Sequence, residues 1–88
     1  MNILKEVSEE ELKRALLNEY RRKLLIYEFI NEKMTRKYGM SFSEFEKMNL
    51  VEKEDFSWEI ESDAMEWEHA VEGIRYLREK ILKIESEK

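Results

Sequence analysis

The chain has 88 residues with no cysteine, no proline and a single histidine, His69, so it is one small domain whose own core hides only about 60–65% of the surface its unfolded chain would expose. Neither disulfides nor a His/Cys metal cluster is available to compensate, which leaves self-association as the route to stability. A net charge of −5 argues against a nucleic-acid surface, which needs a clustered excess of Lys and Arg, and no run of about 18 apolar residues suggests a membrane span.

The opening Met1 to Val7 shows no cationic stretch leading into a long apolar run, so the expected location is the cytoplasm. With 42% charged residues and no Gln, the composition resembles that of proteins from organisms growing at high temperature.

Two helix starts share one grammar. In Val7-Ser8-Glu9-Glu10-Glu11-Leu12, Ser8 caps, Glu11 completes a capping box three residues on, and Val7 and Leu12 form the ends of a hydrophobic staple. Met40-Ser41-Phe42-Ser43-Glu44-Phe45 repeats it with Ser41 as cap. Gly39 supplies the left-handed residue that ends the first helix. The chain is therefore all-α and reads as a single helical domain, residues 1–88, with helices at about 9–38, 42–48 and 56–84. The third starts at Asp55 or Ser57, although the alternation in Phe56-Ser57-Trp58-Glu59-Ile60 also fits a short strand.

At 1.5 Å rise per residue, thirty residues make a first helix roughly 45 Å long. Its inner stripe is Leu16, Tyr20, Leu24, Tyr27, Met34 and Tyr38, with Leu17 at the edge. Asn31 falls within that stripe, either as a register-setting polar group or as a polar residue at its edge. Leu25, Ile26 and Phe29 point elsewhere, so the segment from Leu24 to Ile30 is apolar nearly all round and calls for cover on every side. A second copy is the simplest cover, with Leu25, Ile26, Phe29 and Ile30 as the expected dimer interface and a helical bundle as the product. The basic run Arg21-Arg22-Lys23 reads as a solvated helix face.

The third helix carries a seam of Ile60, Ala64, Trp67, Val71, Ile74 and Ile81, interrupted by Arg78 and widened on one flank by Ala70, Leu77 and Ile84. Gly73 inside it costs about 1 kcal/mol relative to Ala, which a close helix approach would repay. Opposite the seam, Met65, His69, Glu72 and Tyr76 share a mixed face with aromatic and Met anchors in a polar surround, the expected site for a foreign partner.

Chemistry is sparse. Glu66-Trp67-Glu68-His69 contains a Glu-x-x-His pair of the kind di-iron bundles use, with Glu28 and Glu32 as further donors. At 100° per residue, however, Glu66 and His69 fall on the flank and solvent side of the seam. No nucleophile with a base is visible, and Gly39 and Gly73 form no phosphate-cradling loop. No catalytic residue, metal or cofactor is assigned. The alternatives are a metal-binding four-helix oxidoreductase assembled by dimerisation and a purely structural assembly subunit.

Lys37-Tyr38-Gly39-Met40-Ser41, then Phe45, Glu54-Asp55 and the Trp58-Glu59 and Trp67-Glu68 pairs together resemble a group of small prokaryotic antitoxin-like proteins from two-component toxin–antitoxin modules. The likeness spans about residues 30–84. It implies a homodimeric helical protein that neutralises a small toxin, often a ribonuclease, by direct binding, and it carries no catalytic residues. A DNA-binding module is not evident in this chain.

Overall fold

The computed structural model describes residues 7–53 and 57–87. The expectations placed on Met1 to Glu6, on the Glu54-Asp55 pair and on Asp55 or Phe56 as helix start lie outside these residues. Four helices succeed one another, α1 Glu9–Tyr38, α2 Phe42–Met48, α3 Leu50–Lys53 and α4 Trp58–Ser86, and the described residues contain no strand. The alternating segment is helical from Trp58 onward, and Ser57 precedes it without a side-chain capping bond.

The serine half of each capping box is formed, whereas neither Glu11 nor Glu44 takes the serine backbone N–H, and Glu44 Oε1 accepts from the Ser41 hydroxyl instead, at 3.3 Å. Ser8 Oγ accepts from the Glu11 N–H at 3.1 Å and Ser41 Oγ from the Glu44 N–H at 3.2 Å. Gly39, at φ 67° and ψ 27°, closes α1 with its N–H on the Thr35 carbonyl. Asn49, at φ 53°, repeats that device after α2 and turns the chain into α3, a helix of four residues too short to show a sequence period.

α1 and α4 form an antiparallel hairpin. Lys13 pairs with Glu87, Arg21 with Glu85, Glu28 with Arg78, Lys33 with Glu66 and Lys37 with Glu59, so the register runs in opposite directions along its length. An aromatic core cluster lies at the end where α2 and α3 fold back, and Ala70, Ile74, Leu77 and Ile81 continue the buried seam of α4 toward the other end. Met34, Phe45 and Trp67 are buried there, with Ile30, Tyr38, Met40, Phe42, Leu50, Ile60, Ala64 and Val71 packed around them. Trp67 stacks on Tyr38 at 5.8 Å between centroids and meets Phe45 at 5.0 Å and Phe42 at 5.4 Å. Burying one such ring removes enough apolar surface to stabilise the fold by about 4–6 kcal/mol at most, so this cluster anchors the molecule.

Two expectations about faces are corrected. Leu16 is 46% exposed, while Leu17, placed at the edge, is half-buried; the inner stripe of α1 is rotated toward Leu17. In α4 the buried residues are Trp67, Ala70, Ile74, Leu77 and Ile81, and Ile60, Ala64 and Val71 are only half-buried. The supposed flank of Ala70 and Leu77 is thus part of the centre. α1 meets α4 through Asn31 on Trp67 and Tyr27 on Gly73.

Candidate protein-binding surfaces

Asn31 occupies the middle of the α1–α4 contact. Its Oδ1 accepts from Trp67 Nε1 at 2.7 Å, so the indole that fills the core has its one polar group satisfied. Half-buried and lining two open clefts, Asn31 sits at the edge of the stripe while its amide ties α1 to α4. One turn earlier, the Tyr27 ring lies on Gly73. A Cβ at position 73 would stand 2.6 Å from ring atoms Cδ2 and Cε2, which is the close approach that makes glycine worth its helix cost there.

Tyr27 also reaches His69. Its hydroxyl is 3.3 Å from Nε2, and the rings meet edge to face at 5.4 Å and 90°. His69 is exposed with Met65, Glu72 and Tyr76; beside them an aromatic cleft of about 400 Å³ opens between Tyr20, Tyr27 and Tyr76. Lys80 sits over the Tyr76 ring at 5.6 Å. Glu66 turns the other way and meets Lys33 Nζ at 3.3 Å. The Glu-x-x-His pair is thus divided between two different partners on α1, and among the described residues no three His, Cys, Asp or Glu side chains converge.

The expected dimer residues divide as well. Leu25, Ile26 and Phe29 are 68%, 46% and 67% exposed and form an outer ridge on α1, adjacent through their i,i+3 and i,i+4 spacing. Ile30 is half-buried against the core cluster, joining the ridge to the chain's own interior. Arg22, bonded to Glu19 at 2.6 Å, and Lys33 flank the ridge.

A polar lock that sequence reasoning missed ties α1 to the start of α4. Asp63 Oδ2 accepts from Lys37 Nζ and from the Tyr38 hydroxyl, both at 2.6 Å, and Glu59 takes Lys37 at 2.7 Å. Burial pushes the Asp63 carboxyl up, but the bonds from Lys37 and Tyr38 pull harder and hold it below the usual carboxylate value. Burial first, and then the bond to Asp63, push the Tyr38 phenol up to about 12. The lysine is raised by its two carboxylates, Asp63 before Glu59. Nothing in the spacing of Lys37, Tyr38 and Asp63 announces this; it depends on the antiparallel register.

On the face that α2 partly covers, two clefts of about 590 and 430 Å³ run together, sharing Asn31 and Val71. Sequence reasoning missed these also. The one available signal was Arg78, which broke the seam of α4 because that position faces an open cleft. Comparison of the chain with family models, with curated proteins and with solved structures gave no match.

Proposed function

We propose that the chain is a non-catalytic protein-binding module that acts as a homodimer and engages a second, basic protein, in the manner of an antitoxin bound to a small toxin such as a ribonuclease. One observation carries this reading. Large apolar groups stand bare on several sides of a hairpin only one helix pair wide, including Leu25, Ile26 and Phe29 on α1 and Trp58, Met65, Tyr76 and Leu82 on α4. Exposed apolar area on this scale, set among charges, marks surfaces that another polypeptide covers. The carboxylate excess favours encounter with a basic partner, since complementary charge speeds association and selects partners.

Two measurements test it. Light scattering at micromolar concentration is expected to give a mass of two chains, and a mass of one chain overturns the dimer. Co-expression with the product of the adjacent gene is expected to give a complex that survives purification, and whose formation slows as salt screens the charges. Failure of the two to co-purify overturns the toxin-partner reading.

A further inference from the structure

The first half of α4 is one-sided in charge. From Trp58 to Ile74 it carries Glu59, Glu61, Asp63, Glu66, Glu68 and Glu72 and neither Lys nor Arg. α1 answers three of these carboxylates, through Lys37 on Glu59 and Asp63 and Lys33 on Glu66. Glu61, Glu68 and Glu72 are exposed and enter none of the ion pairs among the described residues. With Met65, which is 69% exposed, they follow one another at steps of four, three and four, which places them on one face of the helix.

Beside that face, α2 and α3 lie against α4 and leave a groove of about 200 Å³. Phe42, Phe45, Leu50, Val51 and Ala64 give it an apolar lining, and two carboxylates join them, Glu46 from α2 and Glu68 from α4. Asn49, the remaining polar residue of the lining, donates its amide to Glu52. No cation lines the groove. The nearby ones are placed elsewhere: Lys47 and Lys53 stand exposed on the covering helices, and Arg75 lies in the next cleft along α4 with Glu28, Arg78 and Glu79. His69 is turned to Tyr27 on the other flank. Two like charges from different elements therefore share one apolar groove, an arrangement that is repulsive in the free chain.

Resting on the reading of a basic protein partner above, we infer that the partner is received on this side of the hairpin. One of its Lys or Arg side chains enters the groove between Glu46 and Glu68, and further cations meet Glu61 and Glu72 around Met65. A long basic side chain suits the groove, because its aliphatic stem covers the apolar lining while its charged head stays at the mouth, where both carboxylates bond to it with charge assistance. A metal ion suits it poorly. Among the described residues no three His, Cys, Asp or Glu side chains converge, whereas a hard cation such as calcium takes about six or more oxygen ligands.

The complex with the product of the adjacent gene provides the test. Glu46→Gln combined with Glu68→Gln is compared with Glu9→Gln combined with Glu10→Gln, an equal change of charge at exposed residues where α1 begins, at the far end of the hairpin. At about 0.15 M salt the groove pair is expected to weaken binding at least about tenfold, and the control pair less than about twofold. Equal losses would mean that net charge alone attracts the partner, and no loss from the groove pair would put the partner elsewhere on the molecule. Either result overturns the inference and leaves the basic partner standing. Thermal unfolding of the free groove variant gives a second readout. Its midpoint is expected at or above that of wild type, because a repulsion is removed; a fall would show that the two carboxylates are matched within the chain and overturns the inference. A wild-type chain that captures no partner overturns both the inference and the reading on which it rests.

Discussion

The two ends of the α1–α4 hairpin are built from the same kinds of residue and end up in different states. At the end closed by α2 and α3, apolar groups from all four helices enclose Trp67 and Met34. At the open end, where α1 begins and α4 finishes, Leu12 and Leu16 are exposed, and the cross-helix ties near the tip are the surface pairs Lys13–Glu87 and Arg21–Glu85. The difference teaches that two helices side by side can bury one stripe each but cannot enclose a core. Enclosure requires a second layer, which this chain supplies over only half its length.

The largest expected effect is at the closed end. Trp67→Ala removes the ring around which that cluster packs and leaves the Asn31 amide without its partner, and it is expected to cost about 3–5 kcal/mol in denaturant unfolding monitored by circular dichroism. For a domain whose total stability is about 5–15 kcal/mol, a loss under about 1 kcal/mol would mean that the closed end is not the anchor.

Asp63→Asn is next, at about 1.5–3 kcal/mol for weakening two charge-assisted bonds. It also changes the pH profile. The folded carboxyl lies below its unfolded value, so its contribution is present above about pH 4, the ordinary aspartate range, and is lost as pH falls through the folded value. The variant should flatten that acid limb; a limb as steep as wild type would show that the lock is not formed in solution.

At the middle of the hairpin, Gly73→Ala forces the Tyr27 ring aside and is expected to destabilise by about 1–2 kcal/mol. In a Tyr27→Ala background the same change should instead stabilise by up to about 1 kcal/mol, the ordinary helix gain. No change of sign between the two backgrounds would show that the ring is not what excludes a side chain at position 73. Capping sharpens the comparison further: Ser41→Ala, at the start of the covering layer, should cost about 1 kcal/mol of global stability, while Ser8→Ala should mainly fray the first turn of α1 in hydrogen exchange. Smallest is Arg21→Ala, expected to change stability by no more than about 0.5 kcal/mol because its pair with Glu85 is a solvated one; a larger loss would mean that ion pairs hold the open end.

Much of the secondary structure is legible in residues that act locally. Ser8, Ser41 and Gly39 determine their ends through bonds reaching three or four residues, and α1 and α2 run over the ranges those residues imply. Asn49 ends α2 as a left-handed cap, a role asparagine takes more readily than most residues, but the single-turn helix α3 that follows has no period to read. The faces are less legible. Periodicity selects Leu16 over Leu17 and centres α4 on Trp67, since a stripe on a helical wheel has a width but no mark of where its neighbour lies.

The candidate surfaces divide in the same way. The ridge of Leu25, Ile26 and Phe29 is visible as apolar residues pointing away from the stripe. The clefts on the other face are not, because they are lined jointly by α1, the start of α2 and α4. The sequence by itself determined α1, α2 and most of α4, the caps at Ser8, Gly39 and Ser41, and the excess of apolar residues over what one hairpin can bury, because these arise from contacts within a turn or two and from composition. Only the tertiary structure decided the register held by Asn31 and Trp67, the seat of Tyr27 on Gly73, the Asp63 lock and the step left by a half-length second layer. Each of these depends on residues more than twenty positions apart meeting, and no local pattern encodes the angle at which two helices cross.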